Sequence, residues 1–394
     1  LGMLSGKDAN QQGPEPVGRS AGSNLRPLAI IADDLTGACD AAAPFAVAYD
    51  SIRIYLSHLS DAPPNPAKTT WAITTESREL PPSEAARRIS RIAESLPEDI
   101  EVFKKVDSVF RGNTVVEIAS ALRSFSFDFA VICPAYPALS RTVINGNLMI
   151  DDVCGRRTLS LLDMLADHRP HQLPASLSID AIAARLNQQL GQTRPVFLCD
   201  AVEQADLIKL VHAAKSLQKR VLWIGSGGLA HAIASTLPAS QEPRTQFRRT
   251  GPVVFFIGSP HAVTTAQVDH LKRATGISEH STLSTPSPIA DLLLPIRSET
   301  TESEIRDALK HLTPQSIGCL FMTGGETASQ LCRVLGIETL LLTHEIAPGV
   351  PAGTAVGGAF DGVPVILKSG GFGSPDLLYC ISQSFASKSQ EVHV

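Results

Sequence analysis

Ile30-Ile31-Ala32-Asp33-Asp34-Leu35-Thr36-Gly37-Ala38-Cys39-Asp40 reads as a buried strand that ends in two acids and turns tightly into an alanine-rich helix, Ala38–Ala48. A wholly apolar strand feeding straight into a helix is how a parallel α/β sheet covered on both faces begins. In such sheets ligands sit outside the carboxyl ends of the strands, where Asp33 and Asp34 fall. A carboxylate there can accept a proton from a substrate hydroxyl or hold Mg2+. The competing reading is helix capping, where the dipole rewards an acid by about 0.3–1 kcal/mol. Capping accounts for one Asp well and for two poorly.

Outward from this stretch, β-branched runs alternate with amphipathic helical patterns. Strands are expected at Pro27–Ala32, Ile52–Leu56, Thr69–Thr74, Val102–Val106, Phe129–Cys133, Val196–Leu198 and Val221–Ile224, with helices such as Ser83–Ser95, Thr114–Ser124 and Ala205–Ser216 between them. A second series follows at Val253–Ile257, Ile317–Met322, Thr339–Leu342 and Val363–Leu367. The polar, proline-containing Leu237–Gly251 separates the two. The expected fold is therefore α/β with two domains, each a largely parallel sheet flanked by helices, and the active site in the cleft between them. Residues 1–26 read as a disordered leader, 27–236 as the first domain, 237–251 as a linker and 252–394 as the second domain. Ser281–Pro295 reads as an irregular surface connection inside the second domain.

Two further loops of the first series gather polar groups after a strand. Lys104-Lys105-Val106-Asp107-Ser108-Val109-Phe110-Arg111-Gly112-Asn113 offers Arg111 for bidentate capture of a carboxylate and Lys105 as a point charge. Asp107 would serve as a base or orient Lys105, and Asn113 completes the cluster; a solvated loop with a structural ion pair is the plainer alternative. Cys133–Gly146 holds two prolines and Arg141, a rigid loop whose arginine is a second candidate anion contact, or simply a turn.

The second series carries three glycine-rich turns between a strand and a helix. They are Ile257-Gly258-Ser259-Pro260, Thr323-Gly324-Gly325-Glu326-Thr327 and Lys368-Ser369-Gly370-Gly371-Phe372-Gly373-Ser374-Pro375-Asp376. Glycine allows close backbone approach, and helix N-termini present free N–H groups to phosphates. Each turn alone is common; three in one short series point to a nucleotide. Gly225-Ser226-Gly227-Gly228 also joins a strand to a helix but does not fit GxGxxG, so a nicotinamide-dependent oxidoreductase rests on little. Neither a GxxxxGK[ST] phosphate loop nor a protein-kinase signature is present.

Composition narrows the class. In 394 residues, 43% are hydrophobic and 19% charged, which suits a globular chain able to bury full cores. A formal net charge of −5 argues against general nucleic-acid binding. Seven scattered cysteines, none spaced CxxC, read as reduced buried thiols, and the eleven histidines show no HExxH-type spacing. No apolar run is long enough for a membrane span. The expectation is a cytoplasmic protein acting on small molecules, with a homo-oligomer left open.

Taken together, these motifs resemble the four-carbon acid sugar kinases, formerly a domain of unknown function. The resemblance is carried by Ala32–Asp40, Lys104–Asn113, Cys133–Gly146, Val221–Ala230, Val253–Gln267, Thr323–Ala328, Ile346–Pro351 and Lys368–Asp376, in order over nearly all of the chain after residue 26. It implies an N-terminal sugar-acid domain, a C-terminal ATP domain, and phosphorylation of the terminal hydroxyl of threonate, erythronate or their oxo forms. By motif it places Ser259, Gly324, Gly325, Glu326, Thr327 and Gly371 on ATP, and Asp34, Arg78, Lys105, Asp107 and Arg111 around the acid. Lys368, Gly370 and Gly373 join the nucleotide set from the third turn; Asp33, Asn113 and Arg141 join the substrate set. The expected mechanism holds the substrate carboxylate with Arg111, Lys105 and Arg78. Asp34 or Asp107 takes the hydroxyl proton, while Mg2+ and Lys368 neutralise charge on the phosphoryl group. The chain departs from the family pattern at Ser140-Arg141, Gly146-Asn147, Val109-Phe110 and the stretch after Asp151. Those departures motivate the rival reading, a catalytically degenerate sensor of a sugar acid or nucleotide.

Overall fold

The computed structural model describes residues 27–49, 51–56, 70–97, 100–153, 155–191, 194–239, 251–279 and 290–386. The expected leader and most of the expected linker lie outside the described residues. In chain order the first strands are β1 (Leu28–Ala32), β2 (Ile52–Tyr55), β3 (Trp71–Thr74), β4 (Glu101–Lys105), β5 (Phe129–Cys133), β6 (Arg141–Ile144), β7 (Asn147–Asp152), β8 (Gly155–Ser160), β9 (His171–Leu173), β10 (Val196–Cys199) and β11 (Val221–Gly225). Then come β12 (Val253–Ile257), β13 (Leu292–Pro295), β14 (Cys319–Thr323), β15 (Thr339–Ala347), β16 (Val350–Val356) and β17 (Pro364–Lys368).

Fourteen of these strands form one sheet in the order β13-β12-β14-β17-β16-β15-β2-β3-β1-β4-β11-β5-β10-β9. Every pairing from β2 to β9 is parallel, as are those among β13, β12, β14 and β17. Each half is thus a largely parallel sheet flanked by helices, as the alternation of apolar strands and helices predicts. The two halves are joined edge to edge by β15 and β2, antiparallel, with Leu341 opposite Arg53. Arg53 reinforces the seam by donating from Nη1 to Thr339 Oγ1 at 2.8 Å. A single body of buried apolar side chains follows the sheet across it, from Ile30 and Phe103 through Leu340 and Leu342 to Phe256 and Met322.

Three expectations need correction. Thr339–Leu342 is antiparallel to both its neighbours, because Gly349, at φ 72°, turns the chain back into β16. The stretch 292–295 is not an irregular connection but the edge strand β13. Asp291 pins it by accepting the Val253 N–H at 2.8 Å, and its leucines lack the β-branching that marks the other strands. Arg141 to Ser160, finally, is a separate antiparallel meander, β6-β7-β8. Asp200 fixes its first turn by accepting the N–H groups of Asn145 and Gly146, each at 2.9 Å.

The helix Leu35–Ala42 lies where the halves meet. All eight residues are buried, and Gly37, Ala38, Ala41 and Ala42 are small enough to let neighbouring elements close on it. Asp34 caps it, accepting the Gly37 N–H at 2.7 Å. Such a cap contributes about 1 kcal/mol.

Candidate active site

The carboxyl ends of β1, β4, β12, β14 and β17 open onto one cavity of about 400 Å³. Its walls come from both halves: Asp34, Arg78, Lys105, Asp107 and Arg111 from the first, and Ser259, Gly324, Gly325, Gly370 and Gly371 from the second. The halves touch directly there. A Cβ on Gly325 would overlap Asp34 Oδ2, and Ser369 donates to Thr36 Oγ1 at 3.2 Å. The helix Gly325–Leu335 therefore points its N-terminus at the carboxylate that caps the helix Leu35–Ala42.

On the first wall the acids are gathered around one guanidinium. Arg78 reaches Asp33 at 2.7 Å, Asp34 at 2.9 Å and Asp107 at 3.6 Å. Arg78 is carried on a loop that Asn113 latches by donating to the carbonyls of Ser77 at 2.8 Å and Leu80 at 2.7 Å. Asn113 is thereby a brace of the loop and does not line the cavity. Asp33 also lies behind the wall; burial works to raise its carboxyl, but Arg78 and Lys104 outweigh it and hold it below the ordinary range. Asp107 accepts from Arg111 Nε at 3.0 Å, Arg111 Nη2 at 2.7 Å and the backbone N–H of Arg111 at 3.0 Å. Burial opposes, yet these bonds and Arg78 hold Asp107 well below the carboxylate range. Arg78 and Arg111 are thus engaged by carboxylates of this chain. The neighbouring Lys104 is structural, ion-paired with Glu117 at 2.7 Å in full burial.

Lys105 reaches the cavity, donating to the Val106 carbonyl at 3.1 Å and standing 3.7 Å from Asp40. Arg141 lines the cavity from β6, with its Nη2 3.7 Å from Asp152 and its buried Nε without a hydrogen-bond partner. An arginine on the wall of a polar cavity suits an anionic ligand.

On the second wall, Ser259 accepts the His261 N–H at 3.3 Å, and the bare Cα of Gly370 lies against its hydroxyl. Gly324 adopts φ 99°, a conformation that favours glycine, as it turns β14 into the following helix. Lys368 is buried behind the Ser369–Gly371 loop, where its Nζ donates to Gly370 O at 2.9 Å, Ser369 O at 3.0 Å and Thr264 Oγ1 at 3.0 Å. Among the described residues no carboxylate pairs with it, and burial lowers its amine to about 7. Thr327 supports Gly258 from below, Glu326 is exposed, and Gly373 faces Leu377; these three do not line the cavity. Among the described residues no group of three or more His, Cys, Asp or Glu could hold a metal ion, and no helix is long and apolar enough to cross a membrane. The site therefore offers no cage for a resident metal.

The cavity also holds residues the sequence reading did not single out: Thr36, Asp40, Asp152, Arg157 and His261 among them. Arg157 pairs with Asp152 at 3.0 Å on the β7–β8 hairpin. Asp40 was within the opening stretch, six residues past Asp34, but a polar residue inside an alanine-rich helix carries no signal of facing a cavity. The glycines of Gly225–Gly228 are accounted for by close packing: a Cβ on Gly227 would strike Tyr136 and Asp40, and one on Gly228 the Ala135 carbonyl.

Residues 28–233 match a family model described as a sugar-binding N-terminal domain, and residues 289–378 one described as a nucleotide-binding C-terminal domain. The chain is 28% identical to a D-threonate kinase of Bordetella bronchiseptica, over 92% of this chain and 98% of that one. It is 24% identical to a D-erythronate kinase of Heliobacterium modesticaldum (89% and 94% covered) and 26% identical to a 3-oxo-tetronate kinase of Actinobacillus succinogenes (89% and 97%). A solved structure of a Haemophilus influenzae protein superposes with a TM-score of 0.63 at 21% identity, covering 91% of this chain and all of the other; at that identity it speaks for the fold.

Proposed function

Because the chain belongs to the four-carbon acid sugar kinase family, we propose that it transfers the γ-phosphoryl group of ATP, brought in with Mg2+, to the terminal hydroxyl of a four-carbon acid of threonate, erythronate or oxo-tetronate type. The observation that carries this reading is the contact of Gly325 with Asp34. It sets the glycine turns of the nucleotide half directly against the acid-rich wall of the sugar half.

Phosphoryl transfer needs positioning and charge stabilisation more than covalent help from the protein. The loops at Ser259, Gly324–Gly325 and Ser369–Gly371 would hold the phosphates through backbone N–H groups and the helix N-termini behind them. Lys368 would set a positive field beneath the third loop. The carboxylate of the acid is best matched by Arg141, which lines the cavity from β6, with Arg111 shared from Asp107. Arg78 organises the aspartates rather than the substrate in this arrangement.

The test is ADP release with Mg-ATP against a panel of four-carbon acids and their oxo forms. The reading predicts turnover on at least one acid. Silence across the panel, with ATP binding intact, would point instead to a sensor.

A further inference from the structure

We propose that Asp40 is the general base of the transfer, taking the proton of the accepting hydroxyl at the floor of the cavity; the inference rests on the kinase reading above. The residues first suited to that role by sequence, Asp34 and Asp107, are already engaged. Asp107 accepts four hydrogen bonds, three from Arg111 and one from the Val109 N–H at 3.3 Å, and it is held well below the carboxylate range, which makes it a poor proton acceptor. Asp34 accepts from the Gly37 N–H at 2.7 Å and Thr36 Oγ1 at 3.1 Å and pairs with Arg78 at 2.9 Å. Its carboxylate is committed to holding the helix and the junction between the halves.

Asp40 stands differently. It lines the cavity from the helix Leu35–Ala42 and, among the described residues, pairs with no arginine. Tyr136 donates its hydroxyl to Asp40 Oδ1 at 3.2 Å, and Lys105 Nζ lies 3.7 Å from Oδ2. The groups that face it come from four other elements: Lys105 ending β4, Tyr136 after β5, His231 on the helix Gly227–Ser235, and Glu345 on β15. His231 and Glu345 pair with each other at 3.2 Å; burial works to lower the imidazole, but Glu345 outweighs it and raises it above its ordinary value, and while it is protonated the two charges offset. Gly227 leaves the room Asp40 occupies, since a Cβ there would fall 2.8 Å from both carboxylate oxygens. Burial raises the Asp40 carboxyl to about 6, against the pull of Lys105, which places it near neutrality where a base is both ionised and effective.

The step balances without any group beyond ATP. Asp40 takes the hydroxyl proton, and the freed oxygen bonds to the γ-phosphorus. The bond from that phosphorus to the bridging oxygen breaks, its electron pair leaving with ADP. Lys105 offers its cation to the oxygen as the proton departs, and Asp40 returns the proton to solvent as product leaves.

The experiment is the kcat–pH profile of the wild type, Asp40→Asn and Tyr136→Phe, with ATP affinity measured for each. Wild-type kcat should fall as the pH drops through about 6, because the base becomes protonated. Asp40→Asn, close to isosteric, should lose kcat by about a hundredfold or more, lose that acid limb, and keep its ATP affinity. Tyr136→Phe removes a hydrogen bond to the ionised form, so its acid limb should move to higher pH. An Asp40→Asn kcat within about threefold of wild type overturns the proposal, as does survival of the limb in that variant. If Asp40→Asn cannot bind ATP because it misfolds, an unmoved limb in Tyr136→Phe overturns it. A wild type inactive on every acid sinks the kinase reading, and this inference with it; wild-type turnover undiminished in Asp40→Asn sinks this inference alone.

Discussion

Lys368 shows what a single side chain can say when its surroundings are counted. It is fully buried, donates to neutral oxygens only, and sits under a glycine loop at the mouth of a helix. Burial brings its amine down to about 7, and a triphosphate above it would favour the cation. Nucleotide affinity should therefore fall as the pH rises through about 7 and the cation is lost, and Lys368→Met should be weaker at low pH and flat with pH. Calorimetric titration with ATP across that range checks both. At this scale the sequence was legible where a residue type has one good use after a strand. Asp34, Lys105, Asp107, Arg111 and Arg141 all reach the cavity. It was illegible where roles depend on partners: Asn113 braces a loop and Arg78 is shared among three carboxylates, neither of which spacing can reveal.

The elements that meet at the cavity are two helix N-termini, those of Leu35–Ala42 and Gly325–Leu335. Gly325→Ala would place a methyl on Asp34 Oδ2, and overpacking of this kind costs about 1–3 kcal/mol. In an Asp34→Ala background the same substitution should cost clearly less, since only the 3.1 Å approach to Cβ remains, and a cycle of Tm values over the two single variants and the double variant measures the difference. Strands carried by β-branched apolar runs, such as β1, β5 and β11, could be read directly, because burial on both faces leaves an uninterrupted pattern. The meander β6-β7-β8 and the strand β16 could not. Arg156, Arg157 and Thr158 on β8 are exposed and polar, and β16 is built from small residues that look like loop. That meander brings Arg141, Asp152 and Arg157 to the cavity, in the region where the chain departs from the family pattern.

On the scale of the whole molecule, the sequence separated two α/β series but gave no hint that they share one sheet. The seam between β15 and β2 is antiparallel pairing over Thr339–Leu342 and Ile52–Tyr55, and no local pattern encodes which edge meets which. Over Thr339–Leu342 β15 is bonded on both sides, so each N–H there has a neighbouring strand to serve. Leu341→Pro removes one of those donors from a strand paired on both sides, a position that proline does not occupy without disrupting the ladder. It should split one thermal unfolding transition into two, one for each half, in scanning calorimetry. A single transition at lower temperature would mean that the halves remain coupled through their shared core.

The same seam holds the two walls of the cavity together, and in the proposed reaction the phosphoryl group crosses from one wall to the other. The most direct test is the phosphorus–proton correlation spectrum of the product formed from Mg-ATP and the best acid of the panel. The account predicts a phosphomonoester coupled to the protons of the terminal carbon. A phosphate attached elsewhere, or inorganic phosphate with the acid unchanged, would contradict it.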